Sequence, residues 1–375
     1  MLQKATFRNY KSFHEETTID LRPGRIGYLS DTNIWGDALK GAAFYGANGS
    51  GKSAALSVIA LLIDLLFKDN AILNETLFPL ASPSNEMSFA YTFSVDGHSI
   101  VYSFAFEKGR GFTAENLVFD GKILLNRTLS EAVSNITEKA TFEGVDPQML
   151  FLREVYFNTF FRGHPALIKW LTFLRNSIAF NPLIEFGQLS AMSLHPTEQA
   201  LLETYLETNG VDPINAFLKE HGFPFSLTYA TTKETPLNAL SPFPMRLWIH
   251  YSEIKKIPLH MESSGTKIFL LTLPAFLSVI KTGGILILDE FSSGLHNGLE
   301  ELLVRYFFAN AKGAQLFFSS NSTNLLKTSL LRPDQVYAVE RDEQGSHLKR
   351  FSAIPVREAQ NMEKMYLSGA FGGVS

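Results

Sequence analysis

The alternation of apolar and polar positions predicts a strand, a loop and a helix in succession within the first 70 residues. Residues 5–7 and 17–21 have the composition of strands, and a Pro23-Gly24 turn follows them. Residues 40–45 form a short apolar strand, and residues 53–67 have helix length without a helix breaker. A glycine-rich loop therefore lies between a strand and a helix.

Alternating polar and apolar positions over residues 87–127 predict an antiparallel sheet, because Asp96-Gly97 and Asp120-Gly121 are hairpin-turn signals. Residues 149–180 and 197–207 have helical character. We therefore interpret residues 128–244 as a mainly helical insertion. It separates an N-terminal lobe, residues 1–127, from a C-terminal lobe, residues 245–375.

The C-terminal lobe returns to short apolar runs that predict strands at residues 246–250, 285–288, 315–319 and 335–339. Helical stretches separate the later runs, which is the alternation of a doubly wound sheet. The fold class is accordingly α/β, with a mixed sheet, flanking helices, an antiparallel β subdomain and a helical insertion.

Composition narrows the function classes. The 375 residues hold 33 Lys and Arg against 37 Asp and Glu, a net charge of −4, which disfavours a basic nucleic-acid coat. The absence of cysteine excludes disulfides, thiolate metal ligands and cysteine nucleophiles. The longest apolar runs fall short of the roughly 18 residues of a membrane span, and no signal peptide is evident, so we expect a cytoplasmic protein without a membrane partner.

The glycine-rich loop matches the phosphate-binding pattern G-x-x-x-x-G-K-[ST] in full. Its residues are Gly46, Ala47, Asn48, Gly49, Ser50, Gly51, Lys52 and Ser53. Backbone N–H groups in such a loop surround phosphate oxygens, the lysine reaches the β- and γ-phosphates, and the serine hydroxyl binds Mg²⁺. The loop predicts ATP and Mg²⁺ as cofactors. The alternative is a chance glycine-rich turn, which the flanking strand and helix disfavour.

Two carboxylates, Asp289 and Glu290, follow four apolar residues at 285–288. A buried strand would deliver both acids at its carboxyl end, with Asp289 holding Mg²⁺ through its water shell and Glu290 polarising the attacking water. Upstream, Ser263, Ser264 and Gly265 precede an apolar helix. They present either an anion-binding helix start or an ordinary N-cap.

The order of these motifs resembles the ABC-type ATPases, in the soluble branch that includes Rad50, RecF, SMC and OLD-like proteins. Residues 7–13, Phe-Arg-Asn-Tyr-Lys-Ser-Phe, look like the opening segment of that branch. The resemblance implies that Ser263, Ser264 and Gly265 form the signature motif, which contacts the γ-phosphate held by a second subunit. It also implies that residues 292–296 form the D-loop.

The C-terminal residues 315–326, 330–336 and 366–373 resemble the ATPases called AAA15 or RloA/AbiL-like. Members of this group look like ATPase halves of prokaryotic anti-phage systems, often encoded beside a Toprim-type nuclease. The resemblance implies a sensor or scaffold subunit for abortive infection. It further implies a homodimer or higher homo-oligomer with composite ATP sites, a separate nuclease effector and a phage-derived trigger.

Asn321 stands where this family usually has a switch histidine that contacts the γ-phosphate. Asparagine can donate a hydrogen bond but cannot carry the positive charge of histidine, so we hypothesise slow hydrolysis. Alternatively, Asn321 suffices or His296 compensates. Ala370 likewise stands where an arginine is common. Gln148, Asn158 and Gln188 are candidates for the Q-loop residue by location alone.

Three other function classes remain open. The first is a RecF-like or OLD-like DNA-repair ATPase that binds DNA directly, although basic residues cluster only in pairs such as Lys255-Lys256. The second is a pseudo-ATPase platform, which only Asn321 supports, and the third, a transporter subunit, is the least favoured. The nine histidines have no metal-ligand spacing, and no nuclease motif occurs, so any nuclease activity would need another chain.

Overall fold

A computed structural model describes residues 1–69, 71–80, 82–158, 161, 163–181, 198–230, 246–354 and 360–373. The described strands are β1 Leu2–Arg8, β2 Thr17–Asp20, β3 Ile34–Trp35, β4 Ala38–Leu39, β5 Gly41–Tyr45, β6 Glu86–Val95, β7 His98–Glu107, β8 Gly111–Phe119, β9 Lys122–Thr128, β10 Glu131–Ser134, β11 Ala140–Glu143, β12 Ile178–Phe180, β13 Ser226–Ala230, β14 Arg246–His250, β15 Lys256–Pro258, β16 Gly284–Leu288, β17 Ala314–Ser320, β18 Val336–Asp342 and β19 Gly345–Arg350. The described helices are α1 Ser30–Asn33, α2 Lys52–Phe67, α3 Phe151–Asn158, α4 Pro165–Arg175, α5 Glu198–Asn209, α6 Asp212–Glu220, α7 Ser264–Thr282, α8 Asn297–Asn310 and α9 Met362–Leu367.

A six-stranded sheet with the order β12-β16-β17-β5-β18-β19 carries the predicted motifs. Its first five strands are parallel and β19 pairs antiparallel with β18. The parallel strands are short apolar runs because both sheet faces are covered, and every residue of β5, β16 and β17 is buried. The prediction of an α/β fold with a mixed sheet is confirmed.

An eight-stranded antiparallel sheet, with the order β11-β10-β9-β8-β7-β6-β1-β2, packs on one side of this core. The two predicted hairpin turns are present, and their residues Asp96, Gly97, Asp120 and Gly121 all have positive φ, between 46° and 82°. That is the backbone geometry of a type I′ turn, which suits Asp-Gly pairs. Strands β10 and β11 extend the sheet beyond residue 127, into the stretch that the sequence predicts to be mainly helical.

Two short strands depart from the sequence prediction. Residues 178–180 belong to a predicted helix, but they form β12 and pair in parallel with β16. Residues 246–250 form a strand as predicted, yet β14 lies in a separate three-stranded antiparallel sheet, β13-β14-β15. Hydrophobic periodicity cannot assign such short apolar runs to a helix or to a particular sheet, because their sheet partners come from distant parts of the chain.

Two hydrophobic cores cover the faces of the parallel sheet. The first lies between that sheet, α2, α4 and the antiparallel sheet, and the second contains α7 and α8. Among the described helices, α7 alone has the length and composition of a membrane span. Leu270, Phe276 and Val279 on α7 are nevertheless 0% exposed within the second core, as expected for a core helix of a globular domain.

A buried ion pair joins the N-terminal segment to the parallel sheet. Arg332 and Asp334 are both 0% exposed, and the guanidinium donates to both carboxylate oxygens at 2.9 and 2.8 Å. Arg332 also donates to the carbonyl oxygens of Ile26 and Tyr28, and the Gly24 amide donates to Asp334. The C-terminal motif at residues 330–336 therefore has a structural role beside β18.

We predict that Asp334→Ala lowers the free energy of unfolding by about 3–5 kcal/mol, because it leaves the buried guanidinium unpaired. Arg22→Ala is the matched control, since its pair with Asp20 is at the surface and 61% of the Arg22 side chain is exposed. That control should change stability by less than about 1 kcal/mol. Urea denaturation of both variants tests this, and equal effects would contradict it.

Candidate functional site

The phosphate loop connects β5 to α2 and is closely packed at its glycines. A Cβ atom on Gly46 would lie 2.3 Å from the Val339 carbonyl oxygen on β18. A Cβ atom on Gly51, where φ is 112°, would lie 2.5 Å from the Ser346 hydroxyl on β19. The Ser346 hydroxyl also donates to the Ser50 carbonyl oxygen at 2.6 Å. The β18–β19 hairpin therefore supports the loop from behind and requires glycine there.

Lys52 begins α2 and is 7% exposed. Its ammonium donates to the carbonyl oxygens of Gly46 and Ala47, at 2.7 and 2.9 Å. Burial lowers the pKa of Lys52, and the nearby carboxylates of Asp289 and Glu290 act in the opposite direction. The Lys52 ammonium is thus held at the phosphate loop, near Asp289 and Glu290.

The Asp289 carboxylate lies at the carboxyl end of β16 and meets the first turn of α2. The Ser53 hydroxyl donates to Asp289 Oδ1 at 3.0 Å, and the Ser319 hydroxyl from β17 donates to the same oxygen at 2.5 Å. Glu290 has a φ of 55°, in the left-handed region, and its amide donates to Ser319 Oγ at 2.8 Å. Ser319 thus contacts the Asp289 side chain and the Glu290 backbone, a role that sequence analysis missed.

These oxygen groups suit Mg²⁺, which binds proteins through one or two carboxylates and retains several waters. Ser53 and Asp289 already lie at hydrogen-bond distance, so both could contribute to one such site. Among the described residues, no group of three or more His, Asp or Glu side chains is arranged to hold a metal by itself. The donor set therefore fits a cation shared with a phosphate ligand.

Lys11 is a second cation near this site that sequence analysis did not single out. Asn9 and Lys11 have φ angles of 58° and 52°, so the turn after β1 is locally strained. The Lys11 ammonium donates to the Ser57 hydroxyl on α2 at 2.9 Å. Burial lowers the pKa of Lys11, while Asp289 raises it. The opening segment noted in the sequence therefore places a lysine beside the phosphate loop.

The signature candidates make their described hydrogen bonds locally, at the start of α7. Ser263 is the N-cap of α7, and its hydroxyl accepts the Thr266 amide at 3.2 Å. Gly265 packs on the predicted D-loop, where a Cβ atom would lie 3.3 Å from the Gly294 carbonyl oxygen. Within the described part of the chain, no hydrogen bond joins residues 263–265 to residues 46–53. Their local geometry also satisfies the simpler N-cap interpretation.

Asn321 directly follows β17 and is exposed. Strand β17 pairs in parallel with β5, with Ser320 opposite Tyr45, so Asn321 emerges at the same sheet edge as the phosphate loop. The hydroxyls of Ser292 and Ser320 are 2.7 Å apart and join the predicted D-loop to this segment. The structure therefore brings Asn321 to the edge that carries Asp289.

Of the three Q-loop candidates, the two in the described part of the chain, Gln148 and Asn158, do not lie at this edge. Gln148 lies near Lys68, at the opposite end of α2 from Lys52. The Asn158 amide donates to the Glu154 carbonyl oxygen within α3, and Gln188 lies outside the described residues. Asn181 instead follows β12, whose Phe180 carbonyl oxygen accepts the Asp289 amide at 3.1 Å.

The terminal motif around Ala370 packs behind the parallel sheet. Phe371 stacks on Phe351 with 3.8 Å between ring centroids, and the Gly373 amide donates to Glu340 on β18 at 2.7 Å. The Tyr366 hydroxyl donates to the Gly373 carbonyl oxygen at 2.7 Å. These contacts give the motif a packing role that does not involve an arginine at position 370.

Comparison with solved structures identifies the architecture. The chain is similar to the "SMC head domain from Thermotoga maritima", with a TM-score of 0.51, 15% identity, and coverage of 95% of this chain and 99% of that chain. It is also similar to the "SmcHead bound to the C-winged helix domain of ScpA", with a TM-score of 0.52, 15% identity, and coverage of 92% and 97%. The fold is that of an SMC head domain.

Sequence comparison adds a family match over part of this head. Residues 197–327 match the AAA_21 family, described as "AAA domain, putative AbiEii toxin, Type IV TA system". The matched range includes the signature candidates, Asp289, Glu290 and Asn321. No curated protein sequence matches the chain. At 15% identity, the structural likeness establishes the fold, and the chemistry must be argued from the site.

We predict that Gly46→Ala lowers the free energy of unfolding by about 1–3 kcal/mol, because its methyl group would overlap the Val339 carbonyl oxygen. Gly27→Ala is the control, since a Cβ atom on Gly27 would meet nothing within 4 Å. That substitution should stay within about 0.5 kcal/mol. Denaturant unfolding measures both, and equal stability of the two variants would refute the close packing of the loop.

Proposed function

We propose that this protein binds Mg·ATP at residues 46–53 and hydrolyses it as an ABC-type ATPase. The main support is that the hydroxyls of Ser53 and Ser319 both donate to one carboxylate oxygen of Asp289. The Lys52 ammonium lies near this carboxylate. A phosphate-binding loop, a cation ligand pair and a second acid thus meet at the carboxyl end of adjacent parallel strands. That is where α/β sheets bind their ligands.

Each residue has a distinct task in this proposal. The loop amides and Lys52 bind the β- and γ-phosphates, and Ser53 and Asp289 hold Mg²⁺, which neutralises phosphate charge when bound. Glu290 accepts a hydrogen bond from the attacking water, and Ser319 keeps the Glu290 backbone in its left-handed conformation. We assign Asn181 to the Q-loop position and Asn321 to the switch position, because both follow strands that flank β16.

We further propose that the active unit contains two chains. No hydrogen bond joins residues 263–265 to residues 46–53 in the described part of the chain, and we therefore assign the signature contact to the γ-phosphate to a second copy. Each composite site would then use the loop and acids of one chain and Ser263–Gly265 of its partner. The support is the geometry of one chain together with the motif order.

We predict that Glu290→Gln reduces ATP turnover by at least about 100-fold while ATP binding persists, because only the group that polarises water changes. Ser53→Ala should instead weaken Mg²⁺-dependent binding. Radiolabelled ATP hydrolysis and equilibrium binding, each with and without EDTA, separate the two effects. Turnover that survives Glu290→Gln would contradict the assignment, and wild-type protein that does not bind ATP would refute the function.

Asn321 leads us to propose slow hydrolysis, with bound ATP acting as a clamp between two heads. We predict that Asn321→His raises kcat, because histidine supplies a charge that asparagine lacks. Turnover of the wild-type protein and the variant provides the test. If the wild-type rate is already on the order of 1–10 s⁻¹ and the substitution leaves it unchanged, the clamp proposal is wrong.

The biological role we propose is that of a sensor or scaffold subunit that controls a separate nuclease in anti-phage defence. The partial AAA_21 match and the resemblance of the C-terminal segments support it. Copurification with a nuclease encoded by a neighbouring gene, with and without ATP, is the direct test. Salt-dependent DNA binding by the purified chain alone would favour a RecF-like repair role instead.

A further inference from the structure

A buried carboxyl group without a hydrogen-bond partner lies beneath the switch segment, defined here as residues 320–324. Glu300, in the first turn of α8, is 0% exposed, and neither of its carboxyl oxygens has a partner in the described part of the chain. The Tyr45 hydroxyl is also buried and lacks a partner among the described residues. Each such group costs about 1–3 kcal/mol, so their persistence requires an explanation.

These two groups lie where three nucleotide-site segments meet. Tyr45 is the last residue of β5, directly before the phosphate loop, and Glu300 follows the predicted D-loop by one helical turn. Burial raises the pKa of Glu300, while neighbouring Asn324 and His296 lower it. Burial and the Glu300 charge both raise the pKa of Tyr45. The loop strand, the helix after the predicted D-loop and the switch segment therefore lie around these two buried groups.

Hydroxyl and amide contacts of unequal strength hold the switch segment here. The Thr323 hydroxyl donates to Glu363 on α9 at 2.5 Å, whereas the Asn324 amide reaches the Asn297 carbonyl oxygen only at 3.4 Å. The Asn324 side-chain oxygen accepts the Ser322 hydroxyl, and the Asn324 side chain also acts on the Glu300 carboxyl group, whose pKa it lowers. A protonated carboxyl offers both a donor and an acceptor, which matches the capacities of an amide and a tyrosine hydroxyl.

We propose that Glu300 is a positioning residue that sets the place of the switch segment, and with it Asn321, relative to the phosphate loop. It acts through Asn324 on one side and Tyr45 on the other. The inference rests on the proposed ATPase function, because its consequence is the position of Asn321 at the γ-phosphate.

If Glu300 only fills space, its substitution should have a different effect on turnover. Exchange of an unpartnered buried polar group for an apolar group of similar size is neutral or stabilising. Glu300→Met would then keep both stability and turnover. A positioning role predicts unchanged or higher stability with slower turnover, because the switch segment loses its polar anchor.

The experiment compares Glu300→Met, Glu300→Gln and the control Glu301→Gln, whose side chain is partly exposed on the same helix. Thermal melts, binding of a fluorescent ATP analogue and single-turnover hydrolysis with enzyme in excess are measured for each. We expect Glu300→Met to slow hydrolysis about tenfold or more, with analogue affinity within about threefold and no loss of Tm. Glu300→Gln and Glu301→Gln should remain within about threefold of wild type.

Wild-type turnover by Glu300→Met would overturn the positioning role. If Glu300→Met does not fold, Tyr45→Phe tests the positioning role in its place. This variant removes one hydroxyl group, and we expect it to slow hydrolysis without lowering Tm. An unchanged rate in Tyr45→Phe would then overturn the proposal. Failure of the proposed ATPase function gives a different result from failure of the positioning role. In that case the wild-type protein would not bind ATP, or it would show no turnover that Glu290→Gln abolishes.

Discussion

The Asp289 carboxylate accepts hydrogen bonds from Ser53 and Ser319, and the candidate site depends on this one shared oxygen. Asp289 directly follows β16, Ser53 lies in the first turn of α2 and Ser319 lies on β17, and these segments are far apart in sequence. Their convergence requires β16, β17 and β5 to lie side by side in parallel with a fixed register. A shift of one residue in any pairing would turn these side chains to the other face of the sheet.

Buried polar groups outside the site fix the positions of other segments. Arg332 and Asp334 hold residues 24–28 against the start of β18. On the antiparallel sheet, the buried Glu115 carboxylate accepts the amides of Phe151 and Leu152 at the start of α3, each at 2.7 Å. Such groups are costly to bury unless they are paired, so each one favours a single arrangement of its segment. Glu300 differs because, among the described residues, its carboxyl is left without a partner.

Much of the fold was predictable because its signals are local. The phosphate loop has a fixed spacing, the Asp-Gly turns require positive φ, and the apolar runs at 285–288 and 315–319 suit strands buried on both faces. Strand β12 was not predictable, because three apolar residues become a strand only when β16 offers them an edge. The same reason explains why β14 was identified as a strand but its sheet was not.

The chemistry available at this site follows from the amino-acid sequence alone: a phosphate loop with Lys52 and Ser53, and far along the chain Asp289 and Glu290. These residues lie next to one another in short motifs, so spacing identifies them without a structure. It took the packed fold to show that Ser319, Lys11 and Asn181 lie with them and that Glu300 is buried beneath the switch segment. Those relations depend on strand order and packing between distant segments, which no local pattern of residues encodes.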